Sequence, residues 1–400
     1  MTADSEALTR LIWTAVDRQS RGIKRAGPAA ARELAQEPER AVDVAVDQAL
    51  HRFVDLLWDG GWLPYDLVRA VGRDGDEFAS ALVVDAIAAD VARHPTASLH
   101  ERWREQLSTV GAVVWWRSDA PLFGQWAERH ILTRVEALTT AIGLLAALMR
   151  LPRLPQIVPP PGTAAQKVDH ARPAVDQKVL ARVRGLLAKA ESTQFPDEAE
   201  ALSAKAQELM NRYALERAML DATEHVPQTA TASRLWLDTP YIGAKANLVC
   251  VVADANRCRG VIYEKLGFVA LIGDELDLEI TELLATSLLL QATRAMVHAG
   301  SRATRDDESR SRAYRQAFLL SYASRIGERL SSVTADLVDD NLLPVLADRT
   351  QVVDQLFDSM YPQARPKSFT VRSAAGWGAG RAAADQADLG VTRPPLGRNS

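Results

Sequence analysis

Apolar residues recur at every third and fourth position through the first 150 residues, and that spacing predicts helices. Leu8, Leu11, Ile12, Ala15 and Val16 form one stripe, and Val46, Leu50, Phe53, Val54 and Leu57 another. Breaks are expected at Gly27-Pro28, Gly60-Gly61, Leu63-Pro64, Gly72 to Gly75 and His94-Pro95, where glycine or proline interrupts the period. Residues 1–150 therefore read as an all-α domain. Seven of the nine tryptophans fall in it (Trp13, Trp58, Trp62, Trp103, Trp115, Trp116 and Trp126). At helical spacing they read as core and helix–helix contacts, with a ligand pocket or a partner groove as the alternative.

The period is lost from Arg150 to Pro173. Six prolines, three of them consecutive, forbid regular helix there and favour extended backbone, so residues 151–175 read as a linker that lets the first domain move. Two stripes follow. Val179, Leu180, Val183, Leu186, Leu187 and Ala190 mark a helix over about Asp176–Glu191. Ala199, Leu202, Ala206, Leu209, Met210 and Tyr213 mark a second, opening near Pro196, whose fixed φ suits a first turn. Asp197, Glu198 and Glu200 complement the positive end of that second helix. The short connection makes each stripe the other's nearest partner, which predicts a helical hairpin over 176–225.

From about Leu235 the pattern is mixed. Helices are expected over Ala244–Arg257, Leu276–Val297, Ser311–Leu337 and Gln351–Met360, with Asp274 capping the second of these. Val261–Tyr263 and Phe268–Ile272 flank Lys265-Leu266-Gly267 and predict a β-hairpin. Residues 235–364 thus read as a small α+β domain with a short antiparallel sheet, and 365–400 as a loose, Gly- and Arg-rich C-terminal segment. The fold class expected for the whole chain is mainly α.

The central hairpin resembles a family of bacterial and phage proteins, the domain of unknown function numbered 2786. The residues that carry the likeness are Ala190, Glu191, Ser192, Thr193 and Phe195 at the turn, then Lys205, Ala206, Gln207, Glu208, Leu209 and Met210. The region after it is similar to a companion domain of actinobacterial members, at Tyr241–Arg259, at FLLSYASRIGERL (318–330) and at GRAAADQADLG (380–390). The resemblance implies an architecture and a bacterial or phage setting. It implies no reaction and brings no catalytic residues.

Composition narrows the function classes. An apolar fraction of 47% and a charged fraction of 24% are those of a folded soluble protein. Residues 1–150 carry 17 Lys and Arg against 21 Asp and Glu, and the remainder carries 30 of each, so no whole domain announces itself as a nucleic-acid binder. The start, MTADSEALTRLIW, lacks the basic and apolar regions of a signal peptide, and the apolar run Ala141 to Met149 is too short to span a bilayer. Only Cys250 and Cys258 occur. The expected setting is the cytoplasm, with both thiols free and serving as packing residues.

Catalytic signatures are absent. No two of the seven histidines stand at i, i+4, and the two cysteines lack a C-x-x-C spacing, so neither a metal nor another cofactor is called for. There is no G-x-S-x-G elbow. Glu191, Glu198 and Glu200 read as partners of a helix dipole rather than as an acid–base pair. Gly376, Gly378 and Gly380 have the wrong spacing for a phosphate loop.

Basic clusters are the remaining lead. Lys178, Arg182 and Lys189 share one side of the first hairpin helix, and Arg302, Arg305, Arg310, Arg312 and Arg315 crowd a stretch with few apolar residues. Such arginines can track a phosphate backbone while Tyr314 or Trp377 stacks on a base. The function expected is therefore a non-enzymatic protein binding nucleic acid or another protein. Two alternatives stand beside it. One is an enzyme with a dispersed site at Asp254, Asn256, Arg257, Glu264 and Asp274; the other is a structural partner that assembles through exposed tryptophans.

Overall fold

The computed structural model describes residues 3–73, 76–163, 174–192, 205–206, 208–210, 212–213, 216–217, 220, 229–301, 311–337, 343–366, 368–370 and 373–385. The chain divides into two compact units, Met1–Asp169 and His170–Ser400.

The first unit is all helical. Its helices are α1 (Ala3–Ser20), α2 (Ala26–Leu34), α3 (Glu39–Asp59), α4 (Pro64–Gly72), α5 (Glu77–Val91), α6 (Glu101–Val110), α7 (Leu122–Arg129) and α8 (Arg134–Met149). The expected breaks fall where glycine and proline place them, except that α2 begins at Ala26 and carries Pro28 in its first turn, where proline is tolerated. The α3 stripe of Val46, Leu50, Phe53, Val54 and Leu57 is buried, as are Trp58, Trp62, Trp103 and Trp126. Trp13, Trp115 and Trp116 are half-buried.

Residues 151–163, expected to begin a linker, have no regular secondary structure but lie on the helices of the first unit. The Leu154 N–H donates to the Gly60 carbonyl at 2.8 Å. The indole N–H groups of Trp62 and Trp103 donate to the carbonyls of Pro152 (2.8 Å) and Pro159 (3.1 Å). Leu154 and Val158 are buried. With no helix or sheet ladder here to occupy them, the proline carbonyls are open to indole donors. Residues 164–173 of the expected linker lie outside the described residues.

The second unit contains α9 (Ala174–Ser192), β1 (Thr231–Trp236), α10 (Ile242–Ala255), β2 (Arg259–Tyr263), β3 (Phe268–Gly273), α11 (Glu275–Ser301), α12 (Arg312–Leu337), α13 (Leu343–Met360) and α14 (Ala374–Asp385). The sheet is antiparallel in the order β1-β3-β2. All six residues of the central strand β3 are buried, and Val269 and Leu271 join the main helical core on one face. On the other side Phe268 stacks with Tyr263 at 4.6 Å, and Tyr361 lies beyond it, 6.4 Å from Tyr263. Burial on both faces is why FVALIG reads as an unbroken apolar run. The expected β-hairpin is β2–β3; β1 adds a third strand.

Part of the loose C-terminal segment is ordered against the core. Residues Ala374–Asp385 form a helix in which Gly376 and Gly380 meet the backbone of α12: a Cβ built on Gly376 would lie 2.4 Å from the Tyr314 carbonyl oxygen. Ser321 donates its hydroxyl to the Trp377 carbonyl at 2.5 Å, and the Ser373 hydroxyl accepts the Gly376 N–H at 3.1 Å. Residues 386–400 lie outside the described residues. So does the turn of the central hairpin, at 193–204.

Candidate functional site

The hairpin buries one face and presents another. Val183 and Leu187 of α9 pack with Ala206 and Met210, as the two stripes predict, but Ile280 of α11 completes that cluster, with Leu276 and Leu283 beside it. The hairpin is thereby pinned to the first three turns of α11. With its apolar stripe engaged, α9 exposes Lys178, Ala181, Arg182, Arg184, Gly185, Ala188 and Lys189. At 3.6 residues per turn, Lys178, Arg182 and Lys189 line one edge of this exposed arc and Arg184 the other, with Ala181, Gly185 and Ala188 between them. A Cβ on Gly185 would meet nothing within 4 Å. Four bases and no acid stand between 178 and 189, so the arc is a shallow, small-residue floor with a positive rim.

Beside it, between α9 and α11, lies an open cleft of about 390 Å³. Arg184 and Leu187 line it from α9, Glu279, Glu282 and Leu283 from α11, and Leu235 from β1.

The second basic group is only partly described. Arg312 is exposed and Arg315 half-buried in the first turn of α12, while Arg302, Arg305 and Arg310 lie outside the described residues. Neither aromatic residue expected to stack on a base is placed to do so. Tyr314 is buried, packed in the core beside Phe318, because α14 comes within van der Waals range of its backbone. Trp377 is half-buried against the same core. Arginines further along α12 and on α14 are used internally. Arg381 donates to both oxygens of Glu328 at 2.9 and 2.8 Å, and Arg325 joins it at 2.7 Å. These hydrogen bonds, Arg381 first, pull the Glu328 carboxyl down to about 2. Arg329 donates to the carbonyls of Ala384 and Asp385 at the end of α14.

Of the five residues of the enzyme alternative, Arg257 and Asp274 are near enough for their charges to interact, and Asp254 faces Arg259 instead. Arg257, in left-handed backbone with φ 62°, forks onto the buried Asp277 carboxylate, with Nε to Oδ2 at 3.1 Å. Asn256 ends α10 and donates to the Val252 carbonyl at 2.8 Å, and Asp274 caps α11 by accepting the Leu276 N–H at 3.0 Å. Glu264 is exposed on the turn between β2 and β3, beside Gly243. The cysteines fill glycine gaps in the sheet. The Cys250 sulfur lies 2.8 Å, and that of Cys258 2.5 Å, from where Cβ atoms on Gly260 and Gly273 would stand. Burial pushes the Cys250 thiol up to about 12 and raises that of Cys258 as well, so neither is a thiolate nucleophile at neutral pH. Among the described residues no cluster of His, Cys, Asp or Glu forms a metal site, and no single helix is long and apolar enough to cross a membrane.

Residues 178–217 match the family described as Protein of unknown function (DUF2786). The match coincides with the hairpin and takes in the whole exposed arc of α9. The DUF2786 segment is thus the part of the chain that carries the positive rim and the wall of the cleft. No curated protein and no solved structure matches the chain.

The side shared by Lys178, Arg182 and Lys189 was readable from helical periodicity. The contribution of Arg184 and the open floor around Gly185 were not, because both depend on where α11 covers the hairpin.

Proposed function

We propose that this chain is a non-enzymatic binding protein of the bacterial cytoplasm, which contacts nucleic acid through the exposed face of the DUF2786 helix. The observation that carries this reading is the arc of Lys178, Arg182, Arg184 and Lys189 around Ala181, Gly185 and Ala188. Small residues let a phosphate backbone come close to the helix, and long basic side chains reach around it from both edges. The contact is to phosphate rather than to base edges, so the binding is independent of sequence. Arg312 and Arg315, with Arg302, Arg305 and Arg310 preceding them, supply further phosphate contacts. Two free thiols, Cys250 and Cys258, suit a reducing compartment.

Fluorescence anisotropy against labelled single- and double-stranded DNA and RNA at several salt concentrations tests this. Affinity should fall steeply with salt, and each base removed from α9 should lower the slope of log affinity against log salt by about one. Lys178→Ala, Arg182→Ala and Lys189→Ala together should weaken binding uniformly across sequences. Binding that ignores salt, or no binding at low salt, refutes the proposal.

A further inference from the structure

A second surface, on the first unit and independent of the basic arc, carries its own inference. Helix α6 ends in the ordinary way, with Gly111 in left-handed backbone at φ 68°. Helix α7 ends with the same hydrogen-bond pattern, Ile131 N–H to the Glu128 carbonyl and Leu132 N–H to the Ala127 carbonyl, but its left-handed position holds Ile131, at φ 55°. A β-branched residue there is strained, and glycine or asparagine would be at ease. Yet the Ile131 side chain repays nothing by burial, being 92% exposed. Such strain points to a role outside the folded unit.

Ile131 is not alone. Phe78, Val113 and Val114 are also exposed large apolar residues, at 41%, 65% and 49%. Ring contacts of their chain neighbours join them into one patch: Phe78 meets the ring of His130, next to Ile131, at 5.8 Å, Arg129 lies over the ring of Trp115, next to Val114, at 4.2 Å, and Trp116 meets Trp115 edge-on at 5.7 Å. The patch is held rigid. The Trp115 indole N–H donates to Asp85 at 2.9 Å, and the Gln125 side chain accepts the Arg117 N–H at 2.9 Å and donates to the Arg117 carbonyl at 3.0 Å. Preorganised tryptophan and arginine at an exposed apolar centre are the makings of a binding hot spot.

The rim indicates what covers it. Arg117 and Asp119 stand side by side, 3.4 Å apart, with side chains 76% and 74% exposed. An exposed Arg beside an exposed Asp at the edge of an apolar patch can pair reciprocally across a two-fold axis, so this edge fits a second copy of itself. We propose that this patch is the two-fold interface of a homodimer, built on the exposed Phe78, Val113, Val114 and Ile131, in which Arg117 of each copy pairs with Asp119 of the other.

Sedimentation equilibrium of the full chain, from low to high micromolar concentration, tests the proposal. The expected result is a monomer–dimer equilibrium. Ile131→Asn should weaken association by about tenfold or more while leaving the thermal midpoint unchanged or higher, since asparagine accepts left-handed backbone. Arg117→Asp and Asp119→Arg should each impair self-association, and an equimolar mixture of the two variants should restore a dimer. A monomer at every concentration overturns the proposal, as does a dimer untouched by all three substitutions.

Discussion

Gly380 of α14 lies against the carbonyl of Phe318 in α12 so closely that a Cβ on it would stand 2.1 Å from that oxygen. With Gly376 and the buried Ala384 it forms a ridge of small residues at four-residue spacing, which lets two helices touch backbone to backbone. Gly378, two residues away, has nothing within 4 Å of its own Cβ position. Substituting alanine at these two positions should therefore have opposite effects. Gly380→Ala should cost roughly 1–3 kcal/mol because backbone must move, whereas Gly378→Ala should stabilise by up to about 1 kcal/mol through helix propensity. Urea unfolding of both variants checks this; equal signs would place α14 elsewhere.

Trp62 and Trp103 hold residues 151–163 by single indole hydrogen bonds to proline carbonyls. Trp103→Phe keeps most of the apolar ring but removes the donor, leaving the Pro159 carbonyl to find water. The expected loss is about 1–3 kcal/mol, with faster tryptic cleavage after Arg153. Unchanged cleavage would mean that the contacts of Pro152 and Leu154 hold the segment without Trp103.

Arg257 and Asp277 stitch the end of α10 to the first turn of α11, the carboxylate almost fully buried. Asp277→Ala leaves a guanidinium without its counter-charge and should cost about 3–5 kcal/mol. The double replacement Arg257→Met with Asp277→Leu should recover most of that loss in denaturant unfolding, since no buried charge remains. A double variant as unstable as the single one would show that the pair does more than satisfy itself.

Asp47 on α3 accepts the N–H groups of Leu122 and Phe123 at 2.8 and 3.0 Å and so opens α7 from a distance. Burial nevertheless raises its carboxyl to about 7, outweighing those two donors. The folded value lies above the unfolded one, so the stability it contributes is fully present below about pH 4 and is lost as pH rises through about 7. Burial raises Asp43, Asp55 and Asp85 too, with the same sign. His51 is lowered by burial and acts oppositely, losing stability as pH falls through its ordinary range. The thermal midpoint of the first unit, followed from pH 4 to pH 7, should decline less steeply in Asp47→Asn than in the parent. Parallel profiles would mean that Asp47 is ionised throughout.

Periodicity alone located α3, α9, α10 and α12, the β2–β3 hairpin and the Asp274 cap, because each depends on residues within a few turns of one another. It also put Lys178, Arg182 and Lys189 on one side of a helix. What it did not contain is which surfaces meet. The third strand, Thr231–Trp236, pairs with β3 across the whole of α10 and β2, and no local signal in it names that partner. The prolines of 151–163 forbid helix, as read, but only the fold brings Trp62 and Trp103 to their carbonyls. The glycines of 376–380 look like a loop until α12 lies against them, and Tyr314 looks available for stacking until α14 covers it. A stripe of apolar residues encodes that a face must be buried; the partner is selected by shape and long-range packing, which are properties of the assembled unit.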